Sequence, residues 1–231
     1  MSPTLSVVVP VHNEAEFIRE GMEGILGALH EVAVDFELIV VENGSVDETA
    51  ALAADVGRDE PVTVLSLDTA DYGAAMREGF VRARGDWVVN FDIDYFSAEF
   101  LRQVFAQTDA DIVIGSKRDP HSQDRRPFTR RLATRVFNLL LRALFRSRVS
   151  DTHGMKAFRR EVVERIVPRV ESRQDLFDTE LVLRAERAGF RIVEVPVVVE
   201  ELRAARSSLA RRVPRTLAGL WRIRRRLAAE G

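Results

Sequence analysis

The segment Leu5-Ser-Val-Val-Val-Pro-Val-His-Asn-Glu14 joins a nearly continuous apolar run to a polar tail. A run of β-branched residues without polar alternation is typical of a strand that is buried on both faces. The polar residues after it indicate that the strand ends there, at the edge where open α/β sheets bind their ligands. This segment therefore predicts an α/β domain built on a parallel sheet.

The same apolar pattern recurs along the first half of the chain. It predicts further strands at Phe36–Val41, Val62–Leu67, Trp87–Phe91 and Ile112–Gly115. Helical spacing of apolar residues predicts helices between them, at Glu14–His30, Val46–Val56 and Gly73–Arg84. Strands that alternate with helices favour a mostly parallel sheet with helices on both faces.

The second half is less regular. Pro127 suits the first position of a helix with an apolar stripe and flanking arginines. The remaining predicted elements are a strand at Met155–Phe158, a helix at Leu176–Ala188, a strand at Ile192–Val199 and a basic amphipathic helix from Pro214. We therefore expect one domain over residues 1–209 and a basic amphipathic C-terminal extension over residues 210–231.

Composition excludes several classes of protein. The chain of 231 residues has no cysteine, which rules out disulfides, thiolate metal sites and a cysteine nucleophile. Its net charge of -2 hides an asymmetry, because residues 1–124 hold 8 Lys/Arg against 24 Asp/Glu and residues 125–231 hold 26 against 12. The basic half favours an anionic partner, such as a phosphate-bearing substrate or a membrane surface, although two solvated faces of opposite sign are the alternative. No basic motif with interleaved aromatic residues supports nucleic-acid binding.

The expected localisation follows from the lack of a signal-peptide pattern and of a long apolar run. The first apolar run has no basic leader and no small-residue cleavage site, so we expect no signal peptide. Because no run of eighteen apolar residues occurs, we also expect no membrane-spanning helix. The prediction is a cytoplasmic protein.

Acids and amides follow three of the predicted strands, where core packing does not require them. They are His12-Asn13-Glu14, Glu42-Asn-Gly-Ser-Val-Asp47 and Asp92-Ile-Asp94. Strand alternation places the carboxylates of Asp92 and Asp94 on one side, where they can share a hard divalent cation. Mg²⁺ or Mn²⁺ held there would offset the charge of a diphosphate leaving group.

Competing sites lack their signatures. The first strand is not followed by G-x-G-x-x-G, and no G-x-x-x-x-G-K-[ST] loop or G-x-S-x-G turn occurs. No two histidines have the spacing of zinc ligands. Dinucleotide, nucleoside-triphosphatase and serine-hydrolase chemistry are therefore not indicated.

Together the strand-end motifs resemble glycosyltransferase family 2. The segments that carry this resemblance are Ser6-Val-Val-Val-Pro10 with His12-Asn13-Glu14, Ile39-Val-Val-Glu-Asn-Gly-Ser45 with Asp47, Arg84-Gly-Asp-Trp87 and Asp92-Ile-Asp94. Later segments are similar to the dolichyl-phosphate mannose and glucose synthases and their bacterial polyprenyl-phosphate relatives, namely Asp111-Ile-Val-Ile-Gly-Ser116, Asp151-Thr-His-Gly-Met-Lys-Ala-Phe158, Phe177-Asp-Thr-Glu-Leu181 and Val193-Glu-Val-Pro196.

The resemblance implies a GT-A fold and an inverting, metal-dependent transfer of a hexose from a GDP- or UDP-sugar to a polyprenyl phosphate. The nucleotide-sugar residues that it implies are Pro10, His12, Glu14, Glu42, Asp92 and Lys117. It implies Mg²⁺ or Mn²⁺ at Asp92 and Asp94, and acceptor-phosphate contacts from Lys117, Arg203 and Arg206. The implied catalytic residues are Asp94, Asp178 and Glu180, although the last two equally suit a helix N-terminus that favours acids.

The resemblance implies a nucleotide-sugar donor and a polyprenyl phosphate as partners. The basic helices after Pro127 and Pro214, with their apolar stripes, predict peripheral contact with an anionic membrane at its inner face, and a subunit interface between copies of the chain is the alternative. Some residues depart from the family pattern and bear on the donor and acceptor, namely Glu42-Asn43 in place of two aspartates, Phe96 in place of a glutamine, and Ser208 in place of a lysine. The Asp151 segment is also one residue short. Two alternatives therefore stay open, which are transfer to a hydroxyl with Asp178 or Glu180 as base, and a non-catalytic nucleotide-binding scaffold.

Overall fold

The fold is a central β-sheet between helices, seen in a computed structural model that describes residues 3–125, 127–199 and 209–230. The strands are β1 (Leu5–Val11), β2 (Phe36–Asn43), β3 (Val62–Leu67), β4 (Trp87–Asn90), β5 (Ile112–Ser116), β6 (Gln123–Asp124), β7 (Lys156–Arg159), β8 (Ile192–Pro196) and β9 (Val198–Val199). The helices are α1 (Ile18–Val32), α2 (Thr49–Val56), α3 (Tyr72–Arg82), α4 (Ala98–Ala106), α5 (Phe128–Phe145), α6 (Arg160–Ile166), α7 (Phe177–Arg187) and α8 (Leu209–Ala229).

Seven strands form the main sheet in the order β3-β2-β1-β4-β7-β5-β8, and β6 pairs with β9 beside it. All neighbours in the main sheet are parallel except β7, which runs antiparallel between β4 and β5. The predicted mostly parallel α/β sheet is confirmed. Since β2 and β4 flank β1 and run in the same direction, the carboxyl ends of the three strands lie at one edge.

Both faces of the sheet are buried, because alternate residues of β1 enter different cores. Val7 and Val9 pack with residues of α1 and α4, such as Ile25 and Leu101. Val8 instead joins a core formed with α3, α6 and α7. This arrangement explains why the strand sequence shows an unbroken apolar run.

Helix α8 packs on the protein through a third apolar cluster. Leu220, Ile223 and Leu227 are buried against Leu141 of α5, Leu183 of α7 and Leu176. The helix begins at Leu209 rather than at Pro214, which lies inside it. Of the stripe predicted from the sequence, Leu217 and Trp221 stay exposed.

Several boundaries differ from the sequence-based predictions. Helix α1 begins at Ile18 rather than Glu14, because the preceding residues form a polar loop in which Asn13 has a positive φ of 52°. The strand predicted over Ile192–Val199 is divided into β8 and β9. Helices α4 and α6 were not predicted, although Ser97 caps α4 by accepting a hydrogen bond from the Phe100 amide.

A buried acid ties the amino ends of β1 and β2 together. Glu37 accepts hydrogen bonds from Ser6 Oγ at 2.6 Å and from the Arg84 amide at 2.7 Å, and it pairs with the Arg84 guanidinium at 2.7 Å. Burial opposes ionisation of Glu37, but the bonds from Ser6 and Arg84 outweigh it and hold the pKa below its usual value. A lowered pKa means that this stabilisation is complete above the unfolded pKa and is lost as the pH falls through the folded pKa.

We therefore predict that Glu37→Gln lowers the free energy of unfolding by about 1–3 kcal/mol near pH 7, because charged hydrogen bonds are removed. The deficit should shrink as the pH falls below about 4.3, the usual pKa of a glutamate. Urea titrations between these pH values measure it, with the exposed Glu164→Gln as control. A deficit that is the same at every pH would contradict this role.

Candidate active site

The loops that follow β1 and β2 are joined by hydrogen bonds between their polar side chains and backbones. His12 Nδ1 donates to the Asn43 carbonyl at 2.8 Å. The Asn13 amide donates to Ser45 Oγ at 2.9 Å, and the Asn13 side chain accepts from the Val46 amide at 2.9 Å. These contacts hold the two polar motifs against each other at the carboxyl edge of the sheet.

Glu42 and Asn43 lie buried beneath this junction. Glu42 accepts a hydrogen bond from the Ser45 amide, and Asn43 Oδ1 accepts one from the Asp71 amide at 2.7 Å. Gly44 has φ of +66°, and a Cβ there would lie 2.8 Å from the backbone of Thr69 and Ala70. The turn after β2 therefore has to carry glycine in order to approach the loop before α3.

The two acids after β4 lie on a tight turn. Asp92 and Tyr95 exchange backbone hydrogen bonds of 3.3 and 3.0 Å, which closes the turn. Ile93 points into the core and is 4% exposed, whereas Asp92 is exposed and Asp94 is half-buried. The turn thus directs the apolar side chain inward and leaves the two acids outside the core.

Helix α1 makes room for that turn with glycine. A Cβ at Gly21 would lie 2.6 Å from the Ile93 side chain and 2.7 Å from its carbonyl oxygen. A Cβ at Gly24 would lie 2.5 Å from the Phe96 ring. The position of the turn that carries Asp92 and Asp94 therefore depends on glycine at positions 21 and 24 of α1.

A second side of the site is built from the end of β5 and the loop before β7. Lys117 Nζ donates to the His153 carbonyl at 2.8 Å and lies 3.4 Å from Asp151 Oδ2. The His153 ring packs edge-on against Phe137 of α5, with centroids 5.1 Å apart. Burial lowers the pKa of His153, with Lys117 and Lys156 adding to this and Asp151 opposing it.

The sequence did not identify Lys156 and Tyr72 as site residues. Lys156 is fully buried, and its Nζ donates to the Gly154 carbonyl at 2.6 Å and lies 3.5 Å from Asp178 Oδ1. Tyr72 donates its hydroxyl to Asp178 Oδ2 at 2.7 Å. A lysine inside a strand with apolar neighbours was the signal that could have identified Lys156.

The two acids predicted on α7 are used differently. Asp178 contacts Lys156 and Tyr72, which lie at the carboxyl edge of the sheet with the polar loops described above. Glu180 is fully buried on another side, where it pairs with Arg184 Nε at 2.8 Å and accepts from the Ser172 amide at 2.7 Å. Arg203 and Arg206 lie outside the described residues, as does Ser208.

Charge is concentrated around Asp92. Desolvation in the cleft raises the pKa of Asp92 to about 6, Lys156 opposes this, and Asp178 and Asp94 add to it. Because water still reaches this exposed residue, solvent screening moderates the interactions. Desolvation is the main cause of the shift, and the repulsion from Asp178 and Asp94 that adds to it would be relieved by a bound cation.

The donor set at this turn fits a magnesium or manganese ion. Such ions bind through one or two carboxylates, waters and substrate phosphates. Asp92 and Asp94 would hold the ion, and their mutual repulsion would be relieved by it. A set of three or more protein ligands is not arranged within the described ranges, and an ion of this kind does not need one.

Comparison with known proteins gives the following relationships. The model for the family described as "Glycosyl transferase family 2" matches residues 6–167. Glycosyltransferase AglD of Haloferax volcanii is 35% identical over 202 residues, which are 84% of this chain and 32% of that protein. Polyprenol monophosphomannose synthase of Mycolicibacterium smegmatis is 33% identical over 207 residues, with 84% of this chain and 77% of that one covered. The chain therefore spans about a third of AglD and about three quarters of the second relative.

A solved structure shows the same fold. Glucosyl-3-phosphoglycerate synthase from Mycobacterium tuberculosis, in complex with Mn²⁺, UDP-glucose and phosphoglyceric acid, superposes with a TM-score of 0.72 at 20% identity. The match covers 96% of this chain and 80% of that one. The predicted GT-A fold is confirmed.

We predict that Gly21→Ala lowers the free energy of unfolding by about 1–3 kcal/mol, because a new Cβ overpacks the contact with Ile93. Gly27→Ala is the matched control in the same helix, since nothing lies within 4 Å of a Cβ there. That change should be neutral or stabilising by up to about 1 kcal/mol through helix propensity. Equal effects of the two substitutions in urea denaturation would contradict the packing described.

Proposed function

This chain belongs to glycosyltransferase family 2, and on that premise we propose that it transfers a hexose from a GDP- or UDP-sugar to a polyprenyl phosphate. Family membership makes the chain an enzyme rather than a nucleotide-binding scaffold. The observation that carries the choice of acceptor is a cavity lined mainly by cations, one of which, Lys117, also bonds to the His153 carbonyl on the second side of the site.

The donor half of the proposal uses the joined loops of β1 and β2. Pro10, His12, Glu14 and Glu42 gather at one edge of the sheet, where a nucleotide would lie across the strand ends. Asp92 and Asp94 would hold Mg²⁺ or Mn²⁺ against the diphosphate. When bound, the ion would offset the negative charge that develops on the nucleoside diphosphate as it leaves.

The acceptor half uses the cavity, whose volume is about 340 Å³. Its lining includes four cationic side chains, two hydroxyls and one carboxyl group, namely Lys117, Arg118, Arg131 and Arg135, Ser122 and Thr134, and Asp124. Arginine and lysine are the usual partners of phosphate oxygens. Lys117 also interacts electrostatically with Asp92 and opposes the rise in the pKa of that residue.

Acid–base chemistry separates a phosphate acceptor from a hydroxyl acceptor. A sugar hydroxyl needs a positioned base, whereas a phosphate monoester with a second pKa of about 6 is already mostly dianionic. Asp178 is buried and bonded to Tyr72, and Glu180 is buried and bonded to Arg184. Both carboxylates are buried beside a cation, Lys156 for Asp178 and Arg184 for Glu180, so the described site suits an acceptor that requires cations rather than a base.

The proposed step is a single displacement. A phosphate oxygen of the acceptor forms a bond to the anomeric carbon while the bond from that carbon to the diphosphate oxygen breaks. The electron pair leaves with the nucleoside diphosphate, and attack from the opposite side inverts the anomeric centre. No proton has to be removed from the nucleophile, and Lys117 with Arg131 and Arg135 would hold its charge.

Two relatives have names that fit this acceptor. One is the polyprenol monophosphomannose synthase already described, and the other is the dolichyl-phosphate beta-glucosyltransferase of Dictyostelium discoideum, which is 25% identical over 251 residues. Their names support a lipid-phosphate acceptor in this branch of the family. They do not agree on the sugar, and the proposal therefore covers either hexose.

A lipid acceptor requires a surface that meets the membrane. Helix α5 exposes an apolar stripe of Phe128, Leu132, Val136 and Leu139, beside the arginines that line the cavity. Within the described ranges no helix has the length and apolar character of a membrane span. We propose that this stripe and its arginines lie on an anionic membrane surface, with Val213, Leu217 and Trp221 of α8 as a second stripe.

The proposed metal site predicts a pH dependence. Protons compete with the ion for Asp92, whose pKa is about 6, so Mn²⁺-dependent UDP or GDP binding should be strong near pH 7.5 and weaken as the pH falls through about 6. Asp94→Asn should reduce the binding at both pH values. Calorimetry with and without Mn²⁺ measures this, and nucleotide affinity that ignores both Mn²⁺ and pH would contradict the assignment.

The acceptor cavity predicts a selective kinetic defect. Arg131→Ala and Arg135→Ala should each raise the KM for polyprenyl phosphate about tenfold, the size expected for a lost charged hydrogen bond, and leave the donor KM unchanged. Arg142→Ala, on the same helix outside the cavity, is the control. Asp178→Asn should retain measurable transfer. Silent arginine substitutions together with an inactive Asp178→Asn would indicate a hydroxyl acceptor instead.

The membrane surface predicts an effect on vesicle binding. Replacing Leu132 and Leu139 together by Ser should reduce co-sedimentation with phosphatidylglycerol vesicles severalfold, since apolar insertion is lost. Val46→Ser is the matched control, because Val46 is 93% exposed on the loop after β2. Equal vesicle binding by all three proteins would refute this placement.

A further inference from the structure

The C-terminal helix α8 contacts the segment that leads into Asp178. Gly219 lies so close to Leu176 that a Cβ there would be 2.2 Å from Leu176 Cδ1. Leu220 and Ile223 are fully buried beside it in the apolar cluster shared with α5 and α7. The helix therefore contacts the end of this segment at Leu176 with its backbone as well as with its side chains.

Ion pairs reinforce this contact at the end of α8. Glu230 accepts from Arg184 Nη1 at 2.7 Å and from Arg169 Nη2 at 2.9 Å. Arg184 is 4% exposed, and its Nε also donates to Glu180 at 2.8 Å. Removing one of the two carboxylate partners of a buried guanidinium strongly destabilises the folded protein. Glu230 therefore constrains where Arg184 and Glu180 lie.

Arg226 adds a second link one turn earlier. It pairs with Glu171 at 3.1 Å and approaches Glu180 at 3.8 Å. Glu180 in turn accepts from the backbone amides of Glu171 and Ser172, at 3.3 and 2.7 Å. Glu180 therefore holds the backbone of residues 171–172. Its own cationic partners are Arg184 of α7 and Arg226 of α8.

The restrained segment ends at the strand-end site. On one side, a Cβ at Gly73 would lie 2.9 Å from Arg173 Cα, so the segment packs directly on the first turn of α3. On the other side, it continues into α7, where Asp178 receives the Tyr72 hydroxyl and faces Lys156. Displacement of residues 171–176 would therefore move Asp178 relative to Lys156 and Asp92.

We propose that the inner face of α8 is a positioning element for Asp178, with Glu230 and Arg184 as its positioning residues. Helix α8 restrains residues 171–176 through the contact at Gly219 and through the ion pairs from Glu230 to Arg184 and from Arg184 to Glu180. The segment 171–176 in turn restrains the first turn of α7. The inference rests on the proposed function only for the expected change in kcat, where Asp178 acts by holding Lys156 and Tyr72 in place rather than as a base. The physical coupling between α8 and the segment is independent of the reaction.

The Glu230→Ala variant tests the proposal, with Glu164→Ala as an exposed control and Glu230→Gln, which keeps one acceptor oxygen, as the conservative variant. Hydrogen exchange should lose about tenfold protection in residues 171–178 of Glu230→Ala, the factor expected when a charged hydrogen bond is removed. The Glu230→Gln variant should recover part of that loss. Transfer from a UDP- or GDP-hexose to polyprenyl phosphate in vesicles should show a lower kcat with unchanged donor KM.

A double-mutant cycle identifies the route of the effect. If Glu230 acts through Asp178, Glu230→Ala should lower kcat in the native background and cause no further loss in Asp178→Asn. An equal loss in both backgrounds, or unchanged protection of residues 171–178, would overturn the proposal. If the native chain transfers no hexose at all, the proposed function fails separately, and the exchange result alone decides whether α8 holds the segment.

Discussion

The parallel pairing of β1 with β2 and β4 is the constraint on which the site depends. Strands of one direction end at one edge, so the polar residues that follow them must meet there. Burial of both faces of the sheet leaves that edge as the place where polar side chains can meet water and ligand. The polar motifs after β1, β2 and β4 form one site for this reason.

Close packing and charge balance then shape the edge. Gly21 and Gly24 allow α1 to approach the Asp92–Asp94 turn, while Lys117 and Lys156 bring cations to its other side. The result is a cleft with acids on a turn and lysines opposite them. An ion with a diphosphate can be held on the acidic side, and a phosphate acceptor on the basic side. This division of charge is the physical basis of the proposed reaction.

Sequence reasoning identified what depends on local pattern. The five β-branched runs of the first half and the parallel sheet followed from periodicity, and the acids after β4 stood out by position. The roles of Lys156 and Tyr72 and the burial of Glu180 depend on tertiary contacts, which the periodicity of the sequence does not encode. The same is true of α8, whose amphipathic pattern predicted a helix but not that Leu220 and Leu227 would pack on α5 and α7.

The most direct test of the central claim is the chemistry of the product. Purified chain would be incubated with Mn²⁺, UDP- or GDP-hexoses, and vesicles that contain either a polyprenyl phosphate or the corresponding polyprenol. The product would be examined by mass spectrometry and by NMR of the anomeric proton. The account predicts a hexose joined only to the lipid phosphate, with the anomeric configuration opposite to that of the donor. Transfer to the polyprenol hydroxyl, or a product with retained configuration, would contradict it.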